Sequence, residues 1–139
     1  MQKELELLKY QITLLKQMVN IDEMPFNDFL IDHDISKEQH KWIIDVMKIL
    51  NYRFSYVKDA TDDYYNSVTD QFSKDYQFTE MNFNQFFEIK LPTFKEFDAV
   101  ISKNLPADTE NLYMLKAMKN QQMFQELCTH LIEDAKIEK

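Results

Sequence analysis

QKELELLKYQITLLKQMVN, residues 2–20, is the stretch on which the reading of the whole chain turns. Leu5, Leu8, Ile12, Leu15 and Val19 recur with a 3-4-3-4 spacing, which gathers them on one side of a helix. With Leu5 at heptad position a, Glu4 falls at g and Lys9 at the following e, the arrangement of an ion pair between parallel helices. Leu7, Leu14 and Met18 widen the apolar face beyond a two-stranded seam. The pattern lasts about two and a half heptads. It fits either a core helix of a bundle or a helix covered by a sister copy. The candidate oligomer interface is therefore Leu5, Leu8, Ile12, Leu15 and Val19.

The chain has 139 residues and no glycine, where average usage of ~7% would place roughly ten. P-loops, dinucleotide fingerprints, nucleophile elbows and EF-hand turns all need glycine at positive φ or beside a ligand. Tight hairpin turns lose their best residue too. The expected fold is all-α: one domain over 1–139, a multi-helical bundle with a coiled-coil-like first helix. Hydrophobic residues are 45% and aromatics 14% of the chain, enough for a core in a domain of this size.

Further helices follow from spacing and punctuation. Pro25 opens a short helix with Phe26, Phe29 and Leu30 inward. Ser36-Lys-Glu-Gln39 is a capping box before a helix carrying Ile43, Val46, Met47 and Leu50, flanked by Trp42 and Phe54. Thr93-Phe-Lys-Glu96 is a second box, leading into Phe94, Phe97, Val100 and Ile101. Asp108 or Thr109 is expected to cap a helix with Leu112, Leu115 and Met118. A tight turn at Lys119-Asn-Gln-Gln122 precedes the last helix, with Asn120 expected in the left-handed region. That helix carries Phe124, Leu127, Cys128, Leu131, Ile132 and Ala135. Residues 55–91 are less regular. Tyr65, Val68 and Phe72 have helical spacing, Thr79 is a candidate cap for Phe83, Phe86 and Phe87, and Phe87-Glu-Ile-Lys-Leu91 also suits a short strand. Pro92 ends that element.

Net charge is −8, and Arg53 is the only arginine among 16 basic residues. Arginine forks are the usual readers of phosphate and bases, so direct nucleic-acid or anionic-membrane binding is not expected. No run approaches the ~18 apolar residues of a membrane span. The charged opening Met1-Gln-Lys-Glu-Leu-Glu is unlike a signal peptide, and a single Cys128 suits a reducing compartment. A cytoplasmic location is expected.

The acids concentrate between Asp59 and Glu80, a segment of net −5 interleaved with aromatics. It is read either as an amphipathic helix, aromatics inward and acids outward, or as a partner surface of Asp62, Asp63, Tyr64, Tyr65, Asp70 and Tyr76. Aromatics favour interfaces, and acids steer basic partners. Asp32-His33-Asp34 with His40 is the nearest approach to a metal cluster, but adjacent residues on a helix point apart; solvated loop residues before the Ser36 cap account for them. Cys128 lies on an apolar stripe and reads as a buried thiol. Asp62-Asp63 and Glu133-Asp134 read as solvated faces, and the serines have no nucleophile context. No catalytic residue, cofactor or metal is expected.

Pro25-Phe26, Phe29-Leu30-Ile31-Asp32, Ile35-Ser36-Lys37-Glu38 and Phe124-Gln125-Glu126-Leu127 give the chain a further character. Over about residues 1–52 and 93–135 it resembles the YhaI-like family of uncharacterised proteins from Firmicute bacteria. The resemblance implies an all-helical fold whose subunits intertwine into a homo-oligomer, and it carries over no catalytic or binding residue. Gln122 stands where relatives can have glycine, and the 55–91 segment is longer and different. The expected function is that of a non-enzymatic, self-associating protein acting through protein–protein contacts. Two alternatives stand beside it: an acidic mimic of nucleic acid that blocks a DNA- or RNA-binding protein, and a hydrolase or metal enzyme with an unrecognised site.

Overall fold

A computed structural model describes residues 1–18, 23–55, 63–76, 86–88 and 90–137, with only the backbone given for 63–65. Among the described residues there are seven α-helices and no strand. They are α1 (Gln2–Met18), α2 (Pro25–Asp32), α3 (Lys37–Ser55), α4 (Asp63–Asp75), α5 (Phe94–Ile101), α6 (Asn111–Asn120) and α7 (Gln125–Ile137); a single 3-10 turn, Ser102–Asn104, follows α5. The fold is all-α and bundle-like.

The centre is α3. Trp42, Ile43, Val46, Met47, Ile49 and Leu50 are fully buried, so this helix is apolar over more than one face, as a helix surrounded by others must be. It packs on α4, α5 and α7, while α6 pairs with α7 and with α2. Trp42 donates its indole N–H to Ile101 O at 3.0 Å, satisfying the one polar atom of the buried ring. The expected inward faces of α5, α6 and α7 hold Phe97, Val100, Ile101, Leu115, Met118, Leu127, Cys128, Leu131 and Ile132 in the core.

Two expectations about helix starts are corrected. The Ser36 box is reciprocal: Gln39 N donates to Ser36 Oγ at 3.1 Å and Ser36 N to Gln39 Oε1 at 2.9 Å. At the Thr93 box only half forms. Glu96 N donates to Thr93 Oγ1 at 3.1 Å, but the Glu96 carboxylate turns away to Arg53, because a buried guanidinium is the costlier group to leave unpaired. For α6, neither Asp108 nor Thr109 is the cap. Thr109 N donates to Pro106 O at 3.0 Å, which spends those residues on a turn; the helix begins at Asn111 after Glu110, whose side chain makes no capping bond.

Without glycine, left-handed geometry falls to other residues. Asp34 (φ 51), Gln122 (φ 66) and Phe124 (φ 48) adopt it. Asn120, expected there, is instead the last residue of α6. Met123 N reaches Met118 O at 2.9 Å and Gln122 N reaches Lys119 O at 3.0 Å, which together make a Schellman cap with Gln122 at its left-handed position. Asp34 closes α2 in the same way, through Ile35 N to Leu30 O at 2.9 Å and Asp34 N to Ile31 O at 3.2 Å. The turn after α6 has a second task. Gln121 Oε1 accepts from Phe26 N (2.8 Å) and Asn27 N (3.1 Å), capping α2 from the far end of the chain, since Met24 offers no side-chain cap.

In the middle of the chain α4 is a helix, with Phe72 buried and Val68 packed against the core. The candidate strand near Phe87 is not one: Phe87, Glu88 and Lys90 lie in turn and bend geometry. Thr79 and Phe83 lie outside the described residues. Arg53 holds the neighbourhood in place, donating to Phe86 O at 2.8 Å and Lys90 O at 3.1 Å.

Candidate interaction surface on the first helix

The helix α1 departs from the rest of the fold, for none of its residues is buried. Leu5 is 48%, Leu8 55%, Ile12 45% and Leu15 57% exposed; in a soluble helix such spacing normally marks the covered face. Val19, the fifth residue of the expected seam, lies outside the described residues. As a core helix of its own chain, then, α1 is ruled out. Together with Leu7, Leu14 and Met18, these side chains leave on the order of 700 Å² of apolar surface in solvent, shared between two stripes that each reach the ~300–600 Å² of the largest patch on a typical monomer.

The apolar residues of α1 form two stripes. At ~100° per residue, Leu5, Leu8, Ile12 and Leu15 share one arc, and Leu7, Leu14 and Met18 another, centred roughly 120° away. Glu4 and Gln11 run as a narrow polar line between them. On the far side Lys9, Thr13, Glu6 and Lys16 form a broad polar face.

A polar anchor joins α1 to α2. Lys16 Nζ lies 2.6 Å from Asp32 Oδ1 and 3.1 Å from Asp28 Oδ1, both on α2. The bonds to Asp32 and Asp28 hold the ammonium above its ordinary value, and the bond from Lys16 holds the Asp32 carboxyl below the usual carboxylate range. Beside this anchor, α1 and α2 enclose a trough of about 560 Å³ lined by Ile12, Leu15, Lys16, Met24, Asn27, Asp28 and Ile31. Its walls are mainly aliphatic. Met24 is 37% and Ile31 46% exposed. The sequence reading missed these two. They stand seven residues apart on the side of α2 opposite Phe26 and Phe29, a spacing that would have revealed a second apolar edge.

The acidic segment divides differently. Asp62 and the side chains of Asp63, Tyr64 and Tyr65 lie outside the described residues. Asp70 is exposed. Tyr76 turns inward: its ring packs 4.8 Å from Trp42 and 4.7 Å from Phe72, and its hydroxyl donates to Asp45 Oδ2 at 2.6 Å. Lys41 Nζ completes the cluster at 2.7 Å from Asp45 and 3.1 Å from Asp75. Burial, then the bond to Asp45, push the Tyr76 phenol up to about 12. The adjoining cleft of about 570 Å³ is lined by Glu38, Gln39, Lys41, Asp75, Tyr76 and Asn104.

The remaining sequence candidates have structural partners. His33 Nδ1 bonds Phe29 O at 3.1 Å and its ring stacks on Phe29, while His40 sits edge-on to Phe26. Among the described residues no group of three or more His, Cys, Asp or Glu could hold a metal ion. Cys128 is buried, which pushes its thiol up to about 12. Asp134, half of a carboxylate pair read as solvated, accepts from Phe94 N at 2.8 Å and caps α5. Arg53 is buried against Glu96, so the one arginine is withdrawn from the surface. No helix among the described residues is long and apolar enough to cross a membrane.

The chain matches no protein-family model, no curated protein and no solved structure.

Proposed function

We propose that this chain is a non-enzymatic cytoplasmic protein that self-associates through α1 and acts by binding other proteins. One observation carries the reading: a leucine-rich helix of 17 residues buries none of them in its own chain. Exposed apolar area of this extent marks a surface that another molecule covers. The resemblance to the YhaI-like family points the same way, because it implies intertwined subunits.

Light scattering coupled to size-exclusion chromatography at tens of micromolar tests the reading. A mass above that of one chain is expected, and Leu8→Asp with Ile12→Asp should return it to one chain with little loss of helicity elsewhere. A wild-type chain that stays monomeric throughout sinks the proposal.

A further inference from the structure

The chain carries an apolar trough and, on the same helix that forms one wall of it, an apolar stripe of Leu7, Leu14 and Met18 that stays 40–80% exposed. We infer that the trough between α1 and α2 receives α1 of a second copy, with Leu7 and Leu14 entering between Ile12 and Leu15 on one wall and Met24 and Ile31 on the other. The inference rests on the self-association reading and assigns its receiving site: the interface is built from α2 as well as α1, not from a two-stranded seam of α1 alone.

Three observations support a sister helix as the occupant. The first is length. With 17 residues α1 spans about 26 Å, whereas the 8-residue α2 spans about 12 Å. Its own α2 can flank only the C-terminal half of α1, and the ends around Leu5 and Leu8 run on past it. The second is area. The two stripes with Tyr10, Met24 and Ile31 expose on the order of 1,000 Å², comparable to the ~800 Å² each partner contributes to a standard interface. A small ligand in the trough would leave most of that surface wet.

The third is charge. Lys3 and Lys9 balance Glu4 and Glu6 on α1, while Lys16 is spent on Asp28 and Asp32, the two acids of α2. A neutral rod thus approaches a wall whose acids are already partly neutralised, on a chain that is −8 overall. No strong like-charge repulsion opposes the encounter, as it otherwise would on so acidic a chain. Lys16 already neutralises part of the rim through Asp28 and Asp32, so the apolar walls can close without stranding a bare carboxylate pair.

The test compares Ile31→Asp with wild type by sedimentation equilibrium over a range of concentrations, with circular dichroism as a check of folding. Ile31 is 46% exposed in the single chain, so the helices should survive the change. The expected result is a dissociation constant weaker by roughly tenfold or more. A second measurement does not depend on tolerance of a charge. Copies bearing Ile31→Cys are mixed with copies bearing Leu14→Cys, and the expected product under mild oxidation is a disulfide between one copy of each kind. If Ile31→Asp keeps its mass and the mixed disulfide is absent, while Leu8→Asp with Ile12→Asp dissociates the protein, the trough assignment is overturned and self-association through α1 alone stands. A monomeric wild type whose trough takes up an apolar dye or a foreign amphipathic peptide overturns both.

Discussion

Arg53 and Glu96 form a two-pronged ion pair, Nη1 to Oε2 at 2.7 Å and Nη2 to Oε1 at 2.8 Å, with the arginine side chain wholly buried and the glutamate 19% exposed. The guanidinium also donates to Phe86 O and Lys90 O. One side chain therefore ties α3 to the start of α5 and to the segment that precedes it. The planar fork suits this task, since it reaches a carboxylate and two carbonyls at once.

Removing the carboxylate strands a buried charge, which is costlier than never having had the pair. Glu96→Gln should destabilise the fold by about 3 kcal/mol in urea unfolding. Replacing both partners, Arg53→Met with Glu96→Leu, should recover much of that loss. Equal losses in the single and double variants would show that stranding the Phe86 and Lys90 carbonyls costs as much as stranding the charge.

The turn between α6 and α7 stores backbone strain at Gln122. Its left-handed φ of 66° costs a residue with a Cβ ~1–2 kcal/mol relative to glycine. Glycine also gains freedom in the unfolded chain, which offsets part of the relief. Gln122→Gly should therefore raise stability by roughly 0.5–1 kcal/mol, and Asn120→Gly, inside the helix, should lower it by a similar amount. Paired thermal melts check this, and two variants that shift in the same direction would contradict the cap geometry.

What could be read in advance was local. The apolar spacing on α3, α5 and α7 predicts their buried faces because a helix repeats its inward positions every three or four residues. Ser36 and Gln39 announce their box because both partners sit within one turn. Gln121 gives no such sign, for the amides it caps stand 95 and 94 residues away. Glu96 and Asp134 likewise choose partners 43 and 40 residues distant, whereas local pattern reads the first as the partner of Thr93 and the second as a solvated acid. The candidate surface was half legible. Its α1 face shows in the leucine spacing, but the wall formed by Met24 and Ile31 depends on how α2 is set against α1.

Tyr76 supplies a pH dependence. Its phenol is raised from the ordinary 10.0 to about 12 by burial and by the bond to Asp45. The folded state thus holds this proton more tightly than the unfolded chain does. The contribution is fully present below pH 10, and it fades as pH rises toward 12. Melting temperature should fall more steeply between those values in wild type than in Tyr76→Phe. Parallel curves for the two proteins would mean that the Tyr76–Asp45 bond does not govern this titration.

Because no residue of α1 is buried in its own chain, its removal should separate assembly from folding. A chain lacking residues 2–18 loses little of the apolar contact that stabilises the body, whose core runs from Phe26 to Ile132. At concentrations too low for association, its unfolding free energy in urea should match wild type to within about 0.5 kcal/mol, the usual scale for exposed changes. At high concentration the two should diverge. Association stabilises whichever state associates, so the wild-type melting temperature should climb with protein concentration, while that of the shortened chain should stay flat. Should the shortened chain instead unfold at every concentration, α1 would be supporting the body through contacts its exposure does not reveal, and the surface would have to be sought elsewhere.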